Sequence, residues 1–138
     1  MSTRSRIAKE NPDHSYTSIY CHYDGYPDHV GRLLKEYYKD EKKVSELISL
    51  GDLSSLREKI NPNPANIHDF NAPQSDVCIY YHRDRGDKWE ETKPLESKTL
   101  EDLRVLGEDT WAEYIYVYTL NYEWKLLKEV KVHELRDY

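Results

Sequence analysis

Four stretches of this chain carry side chains able to do chemistry. The first is Tyr20-Cys21-His22-Tyr23-Asp24-Gly25-Tyr26-Pro27-Asp28-His29. It falls where a strand ends and a helix begins, a junction that turns unpaired backbone N–H groups and a positive dipole end toward an anion. His22, Asp24 and His29 are candidate acid–base groups or ligands there, but their spacing matches neither a zinc site nor an HExxH helix. The same residues also read as a plain Asp-Gly turn flanked by polar histidines. The second stretch is Tyr80-Tyr81-His82-Arg83-Asp84-Arg85-Gly86. Arg83 and Arg85, placed around a turn glycine, can grip a carboxylate or phosphate through paired hydrogen bonds. An Arg–Asp turn of this kind also commonly bonds to itself or to a neighbouring loop. The third is Arg4 and Arg6, on one face of a first strand, either a basic patch or edge charges that discourage aggregation. The fourth is Glu123-Trp124, where an amphipathic indole commonly caps a core.

Nucleophile logic does not close on any of them. The chain has no GxSxG elbow, no GxxxxGK[ST] phosphate loop and no GxGxxG. A hydrolase built from His22, Asp24 and His82 ranks last among the readings. No cofactor and no metal is implied.

The bulk properties narrow the classes further. A length of 138 residues suits one domain, spanning residues 1–138. With 20 basic and 26 acidic side chains the net charge is −6, which disfavours bulk nucleic-acid binding. A local basic cluster can still hold a small anion, and an acidic surface can meet a basic groove on another protein. The chain has 13 Tyr and 3 Trp but one Phe, so tyrosines are expected in core positions with their hydroxyls reaching partners. Cys21 and Cys78 lie in apolar runs and read as reduced core thiols. The start, Met1 to Arg6, lacks a signal-peptide stretch and no run reaches membrane length, so a cytoplasmic protein off the membrane is expected.

The elements that must position these residues follow from periodicity. Residues 15–22 alternate between two faces and predict a strand, paired as a hairpin with Arg4–Lys9 through the Asn11-Pro12-Asp13-His14 turn. Val30, Leu33, Leu34, Tyr37 and Tyr38 mark one face of a helix starting near Pro27, and Val44, Leu47 and Ile48 mark a second, stopped by Gly51. Residues 61–75 hold three prolines and no period, an irregular Pro/Asn-rich loop. A strand over Asp76–His82, a short Thr99-capped helix through Leu106, a strand over Glu113–Leu120 and a last one around Trp124, Leu126 and Val130 complete the chain. The order β-β-α-α-β-α-β-β predicts an α+β fold, a mostly antiparallel sheet with helices packed on one face. If the strands ending at His22 and His82 run parallel, the 22–29 and 82–86 turns share one end of the sheet and Asp24 pairs with an arginine.

The blocks Met-Ser-Thr-Arg-Ser-Arg-Ile-Ala, Ser-Ile-Tyr-Cys-His-Tyr-Asp-Gly-Tyr-Pro-Asp-His-Val-Gly and Leu-Ile-Ser-Leu-Gly-Asp-Leu-Ser-Ser-Leu resemble a family of small uncharacterised bacteriophage and prophage proteins. Tyr81 to Gly86 and the closing Tyr-Ile-Tyr-Val-Tyr…Glu-Trp resemble later blocks of the same family. The resemblance implies a phage accessory protein, by genomic habit one that counters host defence, and carries no activity with it. The expectation is therefore a binding protein that sequesters a small anionic, nucleotide-like ligand without catalysis. Its ligand-binding residues would be Arg4, Arg6, Tyr20, His22, Asp24, Arg83 and Arg85. The alternative is an inhibitor that presents acidic patches such as Asp40-Glu41 and Glu90-Glu91 to a host protein. Either reading is compatible with a homo-oligomer.

Overall fold

The structure is a computed structural model that describes residues 2–129. The chain opens with the hairpin of β1 (Ser5–Glu10) and β2 (Tyr16–Cys21). Its turn closes where Asn11 N–H donates to the Ser15 carbonyl at 2.8 Å and His14 adopts a positive φ of 66°. A π-helical turn at Pro27–Gly31 then runs directly into α1 (Arg32–Tyr37). Next comes α2 (Glu41–Ser49), capped by the Asp40 carboxylate, which accepts the Lys43 N–H at 2.8 Å. Gly51 leaves the helix at φ 89°, a conformation that suits glycine, and the chain enters the short β3 (Leu53–Ser55). After the 61–75 loop follow β4 (Ile79–Tyr80), α3 (Tyr81–Arg85), α4 (Trp89–Thr92), β5 (Leu95–Ser97), α5 (Leu100–Asp109), β6 (Tyr114–Tyr118) and β7 (Trp124–Glu129). Val130, expected in the last strand, lies outside the described residues.

The seven strands form one mixed sheet in the order β4-β3-β2-β1-β6-β7, with β5 also paired to β2. The β1–β6 and β2–β3 pairs are parallel and the other four antiparallel, so the expected α+β, mostly antiparallel sheet holds. Helices were expected on one face only; they pack on both. On the first face Ile7, Ile19, Cys21, Tyr116 and Tyr118 bury against Val30, Leu33 and Leu34 before and in α1 and Val44, Leu47 and Ile48 of α2. On the other, Ala8, Ile115 and Val117 bury against Leu103 of α5. Because strand side chains alternate, β6 places tyrosines on one core and Ile115 and Val117 on the other.

Tyr37, expected on the buried face of the first helix, is exposed, whereas Tyr38, Tyr80, Tyr116 and Tyr118 do take core positions. Their hydroxyls donate to backbone carbonyls: Tyr38 to Arg57 at 2.6 Å, Tyr80 to Leu47 at 2.6 Å, Tyr116 to Gly25 at 2.7 Å and Tyr118 to Lys39 at 2.8 Å. The Tyr80 bond ties β4 to α2, and the other three reach the segments that connect the elements. Cys21 and Cys78 are buried free thiols, and burial pushes the Cys21 thiol up to about 12.

The strand expected over Asp76–His82 shrinks to two residues. The Asp84 carboxylate accepts the Tyr80 N–H at 2.8 Å, which removes that donor from the ladder and turns the chain into α3. Gly86, at φ 84°, ends the helix as a left-handed cap. Among the described residues no helix is long and apolar enough to cross a membrane.

Candidate anion site on the second sheet face

The register of the first hairpin sets Arg6 directly opposite Tyr20. One step beyond the Ser5–Cys21 pair stand Arg4 and His22. Four of the seven expected ligand-binding residues thus form two cross-strand pairs on one face of the sheet, the face that α5 covers further along.

The two pairs differ in what they have left to offer. Arg6 is only 1% exposed. Its Nε donates to Ser18 Oγ at 3.0 Å, its Nη2 to the Ser18 carbonyl at 3.2 Å and its Nη1 to Thr110 Oγ1 at 3.5 Å. Burial lowers its pKa to about 10, against the favourable field of Asp52. Asp52 fills the gap on the outer edge of β2 between β5, which pairs residues 16–18, and β3, which pairs Cys21. There its carboxylate accepts the Tyr20 N–H at 2.9 Å. Burial pushes Asp52 up to about 6, with that hydrogen bond and Arg6 acting in the opposite direction. Asp52 therefore holds the Tyr20 backbone at the strand edge, and Arg6 ties β1 to Ser18 of β2 and to Thr110.

The outer pair is open. The Arg4 Nε is buried and meets no hydrogen-bond partner among the described residues. Its charge reaches both Tyr20 and His22, and burial followed by that charge lowers the His22 pKa below 6.5. The Tyr20 hydroxyl and His22 Nδ1 lie 2.7 Å apart, which leaves Nε2 as the outward nitrogen. The Tyr23 ring meets the His22 ring edge-on at 4.6 Å. An anion that settles between Arg4 and His22 would meet a guanidinium that forms no ion pair among the described residues, and aromatic rings stand beside it.

The remaining expected residues are elsewhere or committed. Strands β2 and β4 run in opposite directions, because β3 is parallel to β2 and antiparallel to β4. Tyr80 and Cys21 both pair with Leu53, so the two strands end level with each other and their exits diverge. Asp24 sits at φ 56° as the turn residue before Gly25, and no ion pair joins it to an arginine among the described residues. A side chain at Gly25 would collide with Ser5 and the Thr3 carbonyl, so this turn is a close backbone approach. Arg83 is spent inward: Nε on Asp84 Oδ1 at 2.9 Å, Nη1 on the Ile60 carbonyl at 2.7 Å and Nη2 on the Cys78 carbonyl at 2.9 Å. Arg85 grips Asp87 through two bonds at 2.8 and 2.7 Å and lies over the neighbouring Phe70 and Tyr81 rings, with centroids 4.7 and 4.6 Å away. The arginine turn bonds to itself. Of the acidic patches, Asp40 caps α2 and Glu90 pairs with Lys93 at 2.8 Å. His82 is held by the Asp87 carbonyl at 2.7 Å. Among the described residues no group of three or more His, Cys, Asp or Glu side chains is arranged to hold a metal ion.

Two features escaped the sequence reading. His68, in the proline loop, has a side chain only 2% exposed, and its Nε2 lies 3.3 Å from Asp84 Oδ2. Gln74 N–H donates to His68 Nδ1 at 3.0 Å, so the ring proton sits on Nε2 and points at Asp84. A single histidine in an aperiodic loop carries no signal of this. The second feature is a groove between α1 and β7, whose one sequence signal is the spacing Arg32, Lys35, Lys39 along a helical face.

Compared with known proteins, the chain matches no family model, no curated sequence and no solved structure.

Proposed function

We propose that the protein captures a small anionic, nucleotide-like ligand without turning it over, at the Arg4–His22 pair. The observation that carries this reading is the Arg4 guanidinium, whose Nε is buried without a partner among the described residues, beside a histidine of lowered pKa. A guanidinium held at a strand start offers paired donors to phosphate or carboxylate, and Tyr20, His22 and Tyr23 offer ring surfaces to a base. Arg6 and Asp52 hold the strands that carry the site. Of the seven residues expected from sequence, Arg4, Tyr20 and His22 remain as direct contacts. The resemblance to small phage and prophage proteins supports a counter-defence role in which a nucleotide signal is sequestered.

Calorimetry with cyclic and linear nucleotides tests the reading directly. One ligand should bind, and Arg4→Ala should weaken it by about 10- to 100-fold, the range for a lost charged hydrogen bond. A bound anion favours the protonated ring, so the His22 pKa followed by NMR should rise on binding. Silence across the panel, joined to a stoichiometric protein partner in host lysate, would replace this reading with the acidic-surface inhibitor.

A further inference from the structure

A second concavity shares no residue with the Arg4–His22 pair. It lies between the segment from Pro27 through α1 and the edge strand β7, and encloses about 580 Å³. A neighbouring depression of about 490 Å³ shares Lys35 and Trp124 with it, so the two form one elongated groove. The volume falls in the range of small-molecule sites.

The floor is built and held. Trp124 donates its Nε1–H to the Tyr38 carbonyl at 2.7 Å and packs on the Tyr118 ring at 5.2 Å. Tyr116 is anchored by its bond to the Gly25 carbonyl. Both rings have their polar atoms spoken for, so the surface they contribute to the groove is apolar. Leu126 extends that floor and is 41% exposed. Gly31 keeps the groove open, since a Cβ there would lie 3.3 Å from Tyr116 Cε1.

The rim sets the charge of the occupant. Arg32 is paired with Glu36 at 3.3 Å. Lys35, Lys39 and Lys125 form no ion pair among the described residues, and they face Asp28 and Glu123 on the same rim. Three unpaired cations against two carboxylates leave a single positive charge, on a chain whose net charge is −6. That surplus matches a monoanion and falls short of a polyphosphate. Lysines are point charges without the fixed fork of arginine, so they suit a carboxylate or sulfonate without demanding one geometry.

We infer that this groove binds an elongated amphipathic monoanion, an aryl or alkyl carboxylate or its sulfonate equivalent, with the apolar body on Trp124, Tyr116 and Leu126 and the charge among Lys35, Lys39 and Lys125. It is a separate site from the proposed nucleotide site, and each can fail without the other.

The probe is 1-anilinonaphthalene-8-sulfonate, an aromatic monoanion, followed by its own fluorescence and by quenching of tryptophan emission in the full chain. One equivalent should bind, decanoate should displace it, and inorganic phosphate should not. Lys35→Glu and Lys125→Glu, both surface changes, should each weaken binding about tenfold, the loss of a charge-assisted contact replaced by repulsion. Gly31→Leu should fill the groove and abolish binding, with circular dichroism confirming the fold. Arg4→Ala should leave the probe unaffected, and nucleotides should not compete with it. Equal binding of the neutral analogue N-phenyl-1-naphthylamine, or no response to either charge reversal, would overturn the inference by reducing the groove to a generic apolar surface.

Discussion

Replacing Asp52 with Asn should stabilise the protein at neutral pH and do nothing at pH 3. The carboxylate sits beside the buried Arg6 guanidinium and accepts the Tyr20 N–H, yet burial still raises its pKa from 3.8 to about 6. A raised folded-state pKa means that the folded protein holds the proton more tightly than the unfolded chain. The stability this contributes is fully present below pH 3.8 and is lost as pH rises through about 6. The gap between those two values corresponds to about 3 kcal/mol, at ~1.4 kcal/mol for each tenfold in proton affinity. Partial exposure of the group reduces the expected effect to about 2 kcal/mol. Asn keeps an oxygen acceptor for the Tyr20 N–H and does not titrate. At pH 3 Asp52 is neutral in both the folded and the unfolded protein, so Arg6 lacks a counter-charge in both variants and the two should be equally stable. Urea unfolding followed by tryptophan fluorescence from pH 3 to 7.5 measures the difference. Glu10, Asp13, Asp76 and Asp87, whose pKa values are lowered, tilt the absolute profile the other way, and they cancel between the two proteins. A variant less stable by ~1 kcal/mol or more at pH 7.5 would refute the reasoning. It would mean that the attraction between Arg6 and Asp52 exceeds the cost of burying the carboxylate.

Gly51→Ala should cost about 2–3 kcal/mol by thermal unfolding, because φ is 89° there and the new Cβ would press on the Thr92 carbonyl. His68→Ala removes the donor to a buried Asp84 carboxylate and should cost about 3 kcal/mol, with the 61–75 loop becoming the first site cut in limited proteolysis. Arg83→Ala should lower stability by about 2–3 kcal/mol in urea while leaving any ligand affinity of the folded protein unchanged. An unaltered unfolding midpoint for Arg83→Ala, with ligand binding lost, would return that residue to the site.

What was legible in the sequence was whatever a short window encodes. The first hairpin and its Asn11–Ser15 turn, the buried faces Val30-Leu33-Leu34 and Val44-Leu47-Ile48, and the Thr99 cap accepting the Asp102 N–H at 3.0 Å follow from period and local hydrogen bonding. The cross-strand placement of Arg4, Arg6, Tyr20 and His22 on one face follows from alternation alone, once the hairpin is accepted. What stayed hidden depends on partners distant in sequence. β3 and β5 are three residues each, too short to show a period, and exist because the outer edge of β2 has unpaired groups to fill. Helices on both faces required knowing that β6 inserts parallel to β1, which gives Ile115 and Val117 a second core to enter. The arginine turn illustrates the limit most clearly. Arg83-Asp84-Arg85 has the composition of an anion grip, and its composition cannot say where the first anions lie. Asp84 and Asp87 are one and two residues from the arginines they bind, so they reach the guanidinium groups at no loop-closure cost. An external ligand would have to displace a carboxylate already held in place. Arg4 has no acidic residue within three positions along the chain, so no carboxylate reaches its guanidinium at the low loop-closure cost that commits Arg83 and Arg85.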